Sequence, residues 1–530
     1  MKHLTFLTLL TAIAMTACND ADPLVVETSN GRVKGYYPET NAWNHEGTSG
    51  NRVMGFLGIP YAKTERFMPP MPADPWDTIR ICDHWGPMTM QPSREPRTEE
   101  EMSEQCCVMN IWTNDLTSKK PVMLWLHGGG FDSGTAEWDP GMCLAQEDVV
   151  VVSVNHRLNI LGFLDLSKAS DKYKHSGNVG MLDVVQALRW IKENIANFGG
   201  DAQNVTVFGE SGGGGKVGTL LCMPDAQDLF HKAIILSGTI LNVNTKQMTE
   251  ELGMAVLDEL GITADSIEKI NDVPYDTLYA AGQRAMAASI GTRKPGTPMM
   301  WGFGPTPDGE TLLQQPFQPG FASIADNKPI IIGTVFNELM RLTYNDSITM
   351  EEARAQLEPV FGALTQDFID AFGEAYPDYT PQDLLSADRL FRPKTILTAD
   401  AIAQREASTY VYMFLRKHPV SHGAVHGHEL KFCFNSLDFK PYELASPDET
   451  DRRVAKEMSI RWSNFAKTGN PNSPLLEIEW PTYSAENGQT LMIGDSTVLR
   501  QNHDRRLEEI IDRCCFKQLD AFRAAQSANQ

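Results

Sequence analysis

The stretch VTVFGESGGGGKV, from Val205 to Val217, decides how the rest of the chain is interpreted. It opens with four mostly β-branched residues, which are typical of a strand. The next five residues, Gly209 to Gly213, fit the pattern G-x-S-x-G. Glycines two residues before and two residues after Ser211 allow a sharp turn from a strand into a helix. This pattern predicts a strained turn that holds the serine hydroxyl exposed as a nucleophile.

A second glycine-rich loop precedes this stretch, in PVMLWLHGGGF from Pro121 to Phe131. An apolar run leads directly into His127 and the glycines that follow it. A loop of this kind can direct two backbone N–H groups at one point, where together with the N–H of Gly212 they would hold a developing oxyanion. The two motifs, in this order, indicate acyl transfer. The alternative is that both are structural glycine turns.

Composition limits the class of protein. The chain has 530 residues, of which 42% are hydrophobic, enough for a substantial core. Its formal charge of −22 argues against a nucleic-acid partner or an anionic membrane surface, since both require basic patches. The nine cysteines and the histidines show no zinc-binding spacing, so we expect no metal site, and the acyl transfer that the two motifs indicate requires no organic cofactor.

The N-terminus predicts export. Residues 1–17 contain Lys2 and a short apolar run that ends in small residues before Cys18, which resembles a bacterial lipoprotein signal. On that resemblance residues 1–17 are the signal peptide, residues 18–23 are a tether lipidated at Cys18, and the lipid is the only membrane contact of a periplasmic or cell-surface protein. The alternative is a plain secretory signal cleaved near Ala17, with Cys18 incidental and the protein secreted.

The remainder, residues 24–530, is predicted to form a single domain of the α/β class. Continuous β-branched runs predict strands buried on both faces of a large, mostly parallel sheet. The strands we expect are at 149–154, 232–236, 329–333 and 409–415, with an antiparallel part from Gly31 onward. Helices are expected at 184–198 and, as a cap or pocket wall broken by Pro274, at 245–290. The charged segment 92–105 is predicted to be an exposed loop.

A serine nucleophile requires a base and a carboxylate that orients it, in the chain order Ser, acid, His. Glu338 follows the predicted strand PIIIG and is the preferred acid, with Asp308 and Asp326 as competitors. Spacing alone leaves the base open among the histidines that follow, which are His418, His422, His426, His428 and His503.

Several linked motifs, among them SEQCCVMNIW, NHRLNILGFL, GNVGMLD, IIGTVFNE and GAVHGHE, resemble the type-B carboxylesterase and cholinesterase family of α/β-hydrolases, in particular its bacterial para-nitrobenzyl-esterase-like members. The resemblance implies a small-molecule ester substrate, a triad of Ser211, Glu338 and His426, and oxyanion donors at Gly129, Gly130 and Gly212. It also implies structural ion pairs Arg66–Glu104 and Arg157–Asp201. The acyl-pocket walls that it implies are Phe131, Met300, Trp301 and Phe303.

The chain also departs from the family pattern. Gly212 stands where alanine is usual, and Lys216 stands where a small polar residue is expected. Lys216 could meet a carboxylate, change the polarity of the pocket or extend to solvent. The usual partner of Cys106 is replaced by Thr89, so Cys82 is expected to pair with Cys106 or Cys107.

These departures bear on the activity. No tryptophan lies between Thr89 and Cys106 to bind a quaternary ammonium group, which favours a general carboxylesterase over a choline-ester specialist. The alternatives are an inactive adhesion or binding module of the same fold, and an esterase specialised for thioesters, amides or aromatic plant-type esters.

Overall fold

The computed structural model describes residues 22–38, 52–92, 98, 101–137, 140–291, 302–317, 325–339, 345, 347–418, 422–438, 444 and 446–515. The signal predicted at residues 1–17 and the lipidation site predicted at Cys18 lie outside these ranges. Within them, we find no helix that combines the length and the hydropathy needed to cross a bilayer.

We number strands and helices in chain order. The strands are β1 Val25–Thr28, β2 Gly31–Lys34, β3 Met54–Pro60, β4 Ala62–Lys63, β5 Met71–Pro72, β6 Arg80–Ile81, β7 Met88–Thr89, β8 Met102–Ser103, β9 Val108–Thr113, β10 Lys120–Leu126, β11 Val150–Val154, β12 Gly200–Glu210, β13 Lys232–Leu236, β14 Ile330–Val335, β15 Thr409–Phe414, β16 Gln489–Ile493 and β17 Val498–Gln501. The α-helices are α1 Gly141–Leu144, α2 Asn159–Phe163, α3 Val179–Asn194, α4 Gly212–Leu220, α5 Lys246–Glu259, α6 Tyr275–Gly291, α7 Met350–Phe361, α8 Thr365–Ala375, α9 Pro381–Leu385, α10 Arg392–Ile402, α11 Leu430–Cys433, α12 Glu449–Thr468 and α13 Arg505–Cys515.

The central element is a sheet of ten described strands in the order β17-β16-β15-β14-β13-β12-β10-β11-β9-β3. Every pair from β11 to β16 in this order is parallel. At one edge β9 and β3 pair antiparallel, and at the other edge β17 does. The predicted α/β class, with a mostly parallel sheet and an antiparallel N-terminal part, is confirmed.

Helices cover both faces of this sheet because its strands are apolar on both sides. Side chains alternate along a strand, so Val122, Leu124 and Leu126 of β10 face one core, while Met123 and Trp125 face the other. The first core is closed mainly by α3 to α6, and the second mainly by α7, α8, α12 and α13. Burial on both faces explains the continuous β-branched runs.

Several predicted boundaries change in the structure. The helix predicted at 184–198 begins earlier, as α3, and its last turn is a 3-10 helix, Ile195–Phe198. The helical region 245–290 consists of α5, the 3-10 helix Ala264–Asp272 and α6, which starts after Pro274 as predicted. The exposed loop predicted at 92–105 is wrong in its last part, because Met102 is buried and β8 pairs with β7.

One of the two predicted ion pairs is confirmed. Arg66 Nε donates to Glu104 Oε2 at 2.6 Å. The pair Arg157–Asp201 is wrong, since Arg157 instead binds Asp183, with Nη2 at 2.7 Å from Oδ1 and both side chains nearly unexposed. Arg157 follows the carboxyl end of β11, whereas Asp201 pairs at the opposite end of β12, beside the start of β10.

The predicted disulfide is also wrong. Cys82, Cys106 and Cys107 are buried free thiols. The carbonyl of Cys82 accepts from Leu57 N and that of Cys107 accepts from Tyr61 N. Leu57 and Tyr61 lie four residues apart along the chain, so the backbones of Cys82 and Cys107 meet this segment at different points.

We expect Asp183→Asn to lower the free energy of unfolding by about 3–5 kcal/mol, because it leaves the buried Arg157 guanidinium without its counter-charge. Chemical denaturation of both proteins measures this. Asp201→Asn is the matched control and is expected to change stability by less than about 1 kcal/mol, since Asp201 pairs at 3.5 Å with the exposed Lys119 and accepts from Gln203 N at 3.0 Å, a bond that asparagine can keep. Equal losses for the two variants would contradict this assignment.

Candidate active site

Ser211 lies between the end of β12 and the start of α4. Its backbone has φ 56° and ψ −123°, a strained conformation for a residue with a side chain. Its N–H donates to Leu236 O at 2.9 Å, and its carbonyl accepts from Gly215 N at 3.0 Å. These bonds tie the turn to β13 and to α4, and they leave the Ser211 side chain partly exposed.

The glycines of the motif are required by close backbone packing. A Cβ on Gly213 would lie 1.9 Å from Leu126 O, the last carbonyl of β10, and a Cβ on Gly209 would lie 2.5 Å from the carbonyl carbon of Gly213. A side chain fits in neither space, so α4 can approach the ends of β10 and β12 this closely only because both residues are glycine. The two glycines of the G-x-S-x-G pattern are therefore required by the close contact between β10, β12 and α4.

The loop that follows β10 lies against this turn. Gly129 and Gly130 adopt left-handed conformations, with φ 84° and 65°, and Ser133 N closes the loop on Gly129 O at 3.1 Å. A Cβ on Gly128 would lie 3.4 Å from Ser211 Cβ. The structure thus places the loop with the predicted oxyanion donors beside Ser211.

His426 and Glu338 form a short contact. His426 Nδ1 lies 2.6 Å from Glu338 Oε2, and the other carboxylate oxygen of Glu338 accepts from Val335 N at 3.0 Å. The backbone also joins the two residues, because His426 N donates to Glu338 O at 3.1 Å. Glu338 is buried and His426 is partly exposed, so the imidazole is held from within the protein.

Two supports of this pair were not predicted from the sequence. Asn337 donates from its backbone to Ala424 O and accepts from Ala424 N at its side-chain oxygen, at 2.9 and 2.8 Å. The ring of Phe391 stacks on His426, with centroids 5.1 Å apart and planes at 16°. Asn337 directly precedes the predicted acid Glu338, so its place in the sequence could have marked it as part of the site. Phe391 belongs to a different segment, and nothing in the sequence around it indicates that it contacts His426.

Buried carboxyl groups surround the imidazole. Burial raises the pKa of Glu338 well above its usual range. Burial also raises the pKa of Glu210 to about 8 and that of Glu429 to about 7, helped by the nearby carboxylates. Ser237 Oγ donates to Glu429 Oε1 at 3.1 Å. Ser237 directly follows β13, so its position at the carboxyl edge of the sheet could have marked it.

The second nitrogen of the imidazole faces Glu210 in this structure. His426 Nε2 lies 3.2 Å from Glu210 Oε1. Within the described part of the chain, no hydrogen bond joins the Ser211 hydroxyl to His426. Catalytic hydrogen bonds are often long before substrate binds and shorten in the complex.

The competing candidates lie elsewhere. Asp308 holds its own turn by accepting from Thr311 Oγ1 at 2.6 Å, and Asp326 pairs with Arg405 at 2.6 Å. His428 packs edge-on against Phe432. Further, His503 lies beside Asp504 and Tyr376, while His418 contacts His428. In the described residues no cluster of three or more His, Cys, Asp or Glu side chains is arranged to hold a metal ion.

The predicted pocket residues separate into two groups. Phe131 is partly exposed and its ring packs edge-on against Phe163. Phe303 is 3% exposed and belongs to the core. Met300 and Trp301 lie outside the described residues. Lys216 does not extend to solvent, since it is fully buried beneath the glycine loop.

Comparison with known proteins identifies the family. The model described as the carboxylesterase family matches residues 22–509. The chain is 33% identical to para-nitrobenzyl esterase of Bacillus subtilis over 497 residues, which cover 90% of this chain and 96% of that protein. It is 31% identical to liver carboxylesterase of Sus scrofa over 545 residues, 93% of each protein.

Solved structures agree with this match. An esterase from the anaerobe Clostridium hathewayi, which is described as able to hydrolyse aliphatic aromatic polyesters, superposes with a TM-score of 0.82 at 32% identity, over 93% of this chain and 99% of that chain. A structure of PNB esterase superposes with a TM-score of 0.72 at 31% identity, over 92% and 99%. The chain therefore belongs to the carboxylesterase family, adopts the α/β-hydrolase fold and is a hydrolase of carboxylic esters.

Proposed function

We propose that this carboxylesterase works through an acyl-enzyme on Ser211, with His426 as the general base and Glu338 as the carboxylate that orients it. The observation that carries the proposal is the 2.6 Å contact between His426 Nδ1 and the buried Glu338 carboxylate, next to the strained turn at Ser211. A serine hydroxyl needs a base of this kind, and the base needs a partner for its charged form.

In the acylation step, His426 Nε2 takes the Ser211 proton and Ser211 Oγ attacks the carbonyl carbon of the ester. The N–H groups of Gly129, Gly130 and Gly212 bind the tetrahedral oxyanion, each contributing on the order of 3 kcal/mol of barrier reduction. His426 then protonates the leaving alcohol. Water repeats the sequence on the acyl-enzyme and releases the acid.

The charge states of the buried carboxyl groups are compatible with these reaction steps. Burial raises the pKa of Glu210 to about 8, which favours its protonated form at neutral pH. In that form Glu210 adds no fixed negative charge at 3.2 Å from Nε2. Glu338 is the carboxyl group that contacts Nδ1, and it must be ionised to stabilise His426 when His426 becomes charged.

General carboxylesters are the substrate class that we favour. The absence of tryptophan between Thr89 and Cys106 in the sequence removes the expected cation–π partner of a choline ester. Thioesters, amides and aromatic plant-type esters are chemically compatible with the same triad. An inactive binding module is disfavoured because serine, glutamate and histidine are all retained at positions 211, 338 and 426.

We also propose that the protein is exported and anchored by a lipid on Cys18. The support is the sequence of residues 1–18, with an early basic residue, a short apolar run and small residues before the cysteine. A secreted form, cleaved near Ala17, is the alternative.

The nucleophile is tested with Ser211→Ala on p-nitrophenyl esters of increasing acyl length, with acetylcholine included. We expect the wild type to show a burst of p-nitrophenol and the variant to lose it, with kcat lower by on the order of 10⁶-fold. The acyl-length optimum measures the size of the pocket. A wild type as inactive as the variant on every ester would favour the binding module, and acetylcholine turnover rivalling that of aryl esters would refute general specificity.

The pH dependence follows from Glu338. The carboxylate must be ionised to stabilise charged His426, and burial raises its pKa. Activity is therefore expected to be lost as pH falls, starting at a higher pH than for a solvated glutamate. A kcat/KM profile measures the acid limb. Glu338→Gln is expected to lower kcat by about 10⁴-fold.

The control for this experiment is Asp326→Asn, which alters a competing, exposed acid that pairs with Arg405. It should leave kcat within about twofold of the wild-type value. Similar losses for Glu338→Gln and Asp326→Asn would show that the acid is not Glu338.

Lipid anchoring is tested by Cys18→Ser in a bacterial host. We expect the variant to leave the membrane fraction and the wild type to remain there with a mass increase from the lipid. Cys514→Ser changes a partly exposed thiol and should fractionate like the wild type. A wild type that is soluble and unmodified would favour the secreted form.

A further inference from the structure

Lys216 is a buried lysine on α4, the helix that begins directly after Ser211. Its side chain is fully buried. Its Nζ donates to His127 O and to Gly130 O, each at 2.9 Å. These carbonyls lie on either side of Gly128 and Gly129, so one amine holds both ends of the glycine loop.

The groups around the amine favour its neutral form. Burial lowers the pKa of Lys216 to about 7, opposed in part by Glu210 at the end of β12. On the neighbouring strand ends, His127 and His156 stack with centroids 5.1 Å apart. Burial and the nearby lysine lower the pKa of His127 to about 3 and that of His156 well below its usual range. A neutral amine has two N–H donors, which match the two carbonyls.

The remaining side of the amine faces an aromatic ring. Lys216 Nζ lies 5.8 Å from the centroid of Phe131, the residue that follows the glycine loop. Both hydrogen bonds of Nζ go to the loop, and among the described residues none joins it to the Ser211 hydroxyl. The amine is therefore placed to act on the loop.

Gly212 shows that this loop lies unusually close to α4. A Cβ on Gly212 would lie 2.3 Å from both N and O of Gly130 and 2.4 Å from its Cα. These are backbone atoms, so an alanine at position 212 requires the loop to move. The two departures from the family pattern, at 212 and 216, thus meet at the same residue, Gly130.

We propose that Lys216 is a positioning residue of the oxyanion hole, which holds the loop 127–130 against the start of α4, and that Gly212 supplies the space for this position. The inference rests on the proposed function, because the donors at Gly129, Gly130 and Gly212 matter only if an oxyanion forms on a Ser211 adduct. Lys216 acts through the backbone that it binds and does not itself touch the substrate.

The first test is Lys216→Met, which keeps the length of the side chain and removes both N–H donors. We expect kcat on p-nitrophenyl butyrate to fall about 10- to 100-fold with KM changed less than about threefold, since the loop is needed chiefly in the transition state. The variant loses two hydrogen bonds but no longer buries an amine, and because these effects oppose each other we expect a melting temperature within about 3 °C of that of the wild type.

The second readout is inhibition by an alkyl trifluoromethyl ketone. Ser211 Oγ adds to its carbonyl carbon, the Ser211 proton passes to His426, and the carbonyl oxygen becomes an oxyanion in the hole. The Ki of the ketone is expected to be higher for Lys216→Met than for the wild type, by the same factor by which kcat/KM is lower. A purely structural role would lower the melting temperature and would not keep these two factors equal.

The third test couples the two positions. Gly212→Ala alone should lower kcat, because its Cβ meets Gly130. The double variant, Gly212→Ala with Lys216→Ser, should be more active than Gly212→Ala alone, because the loop is no longer held by the lysine and can move away from the new methyl group. This pair also serves if Lys216→Met does not fold.

The outcomes separate the two proposals. A wild type without a burst and without ketone binding would overturn the triad and this inference together. A normal wild type with an unchanged kcat and Ki in Lys216→Met would overturn this inference alone. Effects of Gly212→Ala and Lys216→Ser that simply multiply would likewise overturn it, because the two positions would then act independently.

Discussion

The parallel pairing of β10 with β12 is the constraint on which the rest of the site depends. Its register places Leu126 opposite Gly209, and the last carbonyl of β10 then occupies the space where a side chain on Gly213 would be. Because both strands end at the same edge, the glycine loop and the turn at Ser211 meet there. The following strand ends add Ser237, Glu338 and, across a backbone pair, His426.

Charge at this edge is controlled by burial. Glu210, Glu338 and Glu429 lie around one imidazole, and three ionised carboxylates so close together would repel one another strongly. Burial raises the pKa of each, and the shortest of their contacts with His426 is the one from Glu338 to Nδ1. Beneath the loop, His127 and Lys216 are likewise pushed toward their neutral forms.

Local patterns in the sequence predicted the framework well. The mostly apolar runs at 149–154 and 232–236 became β11 and β13, since a strand buried on both faces is apolar along most of its length. Glu338 was predicted from its place after a strand, because carboxyl ends of parallel strands share an edge. Two predictions that needed a distance between remote segments were wrong: Arg157 binds Asp183 and not Asp201, and Cys82 forms no disulfide with Cys106 or Cys107.

The sequence by itself therefore determined the class of fold, the position of the strained turn at Ser211 and the expectation of an ester hydrolase, because strand composition and glycine spacing act within a few residues. Only the tertiary structure decided how His426 is held, through Glu338, Asn337 and the ring of Phe391. It alone showed that Lys216 is buried against the glycine loop. These contacts form between segments that are distant in the chain, and a local sequence pattern carries no information on how close such segments come in the folded protein.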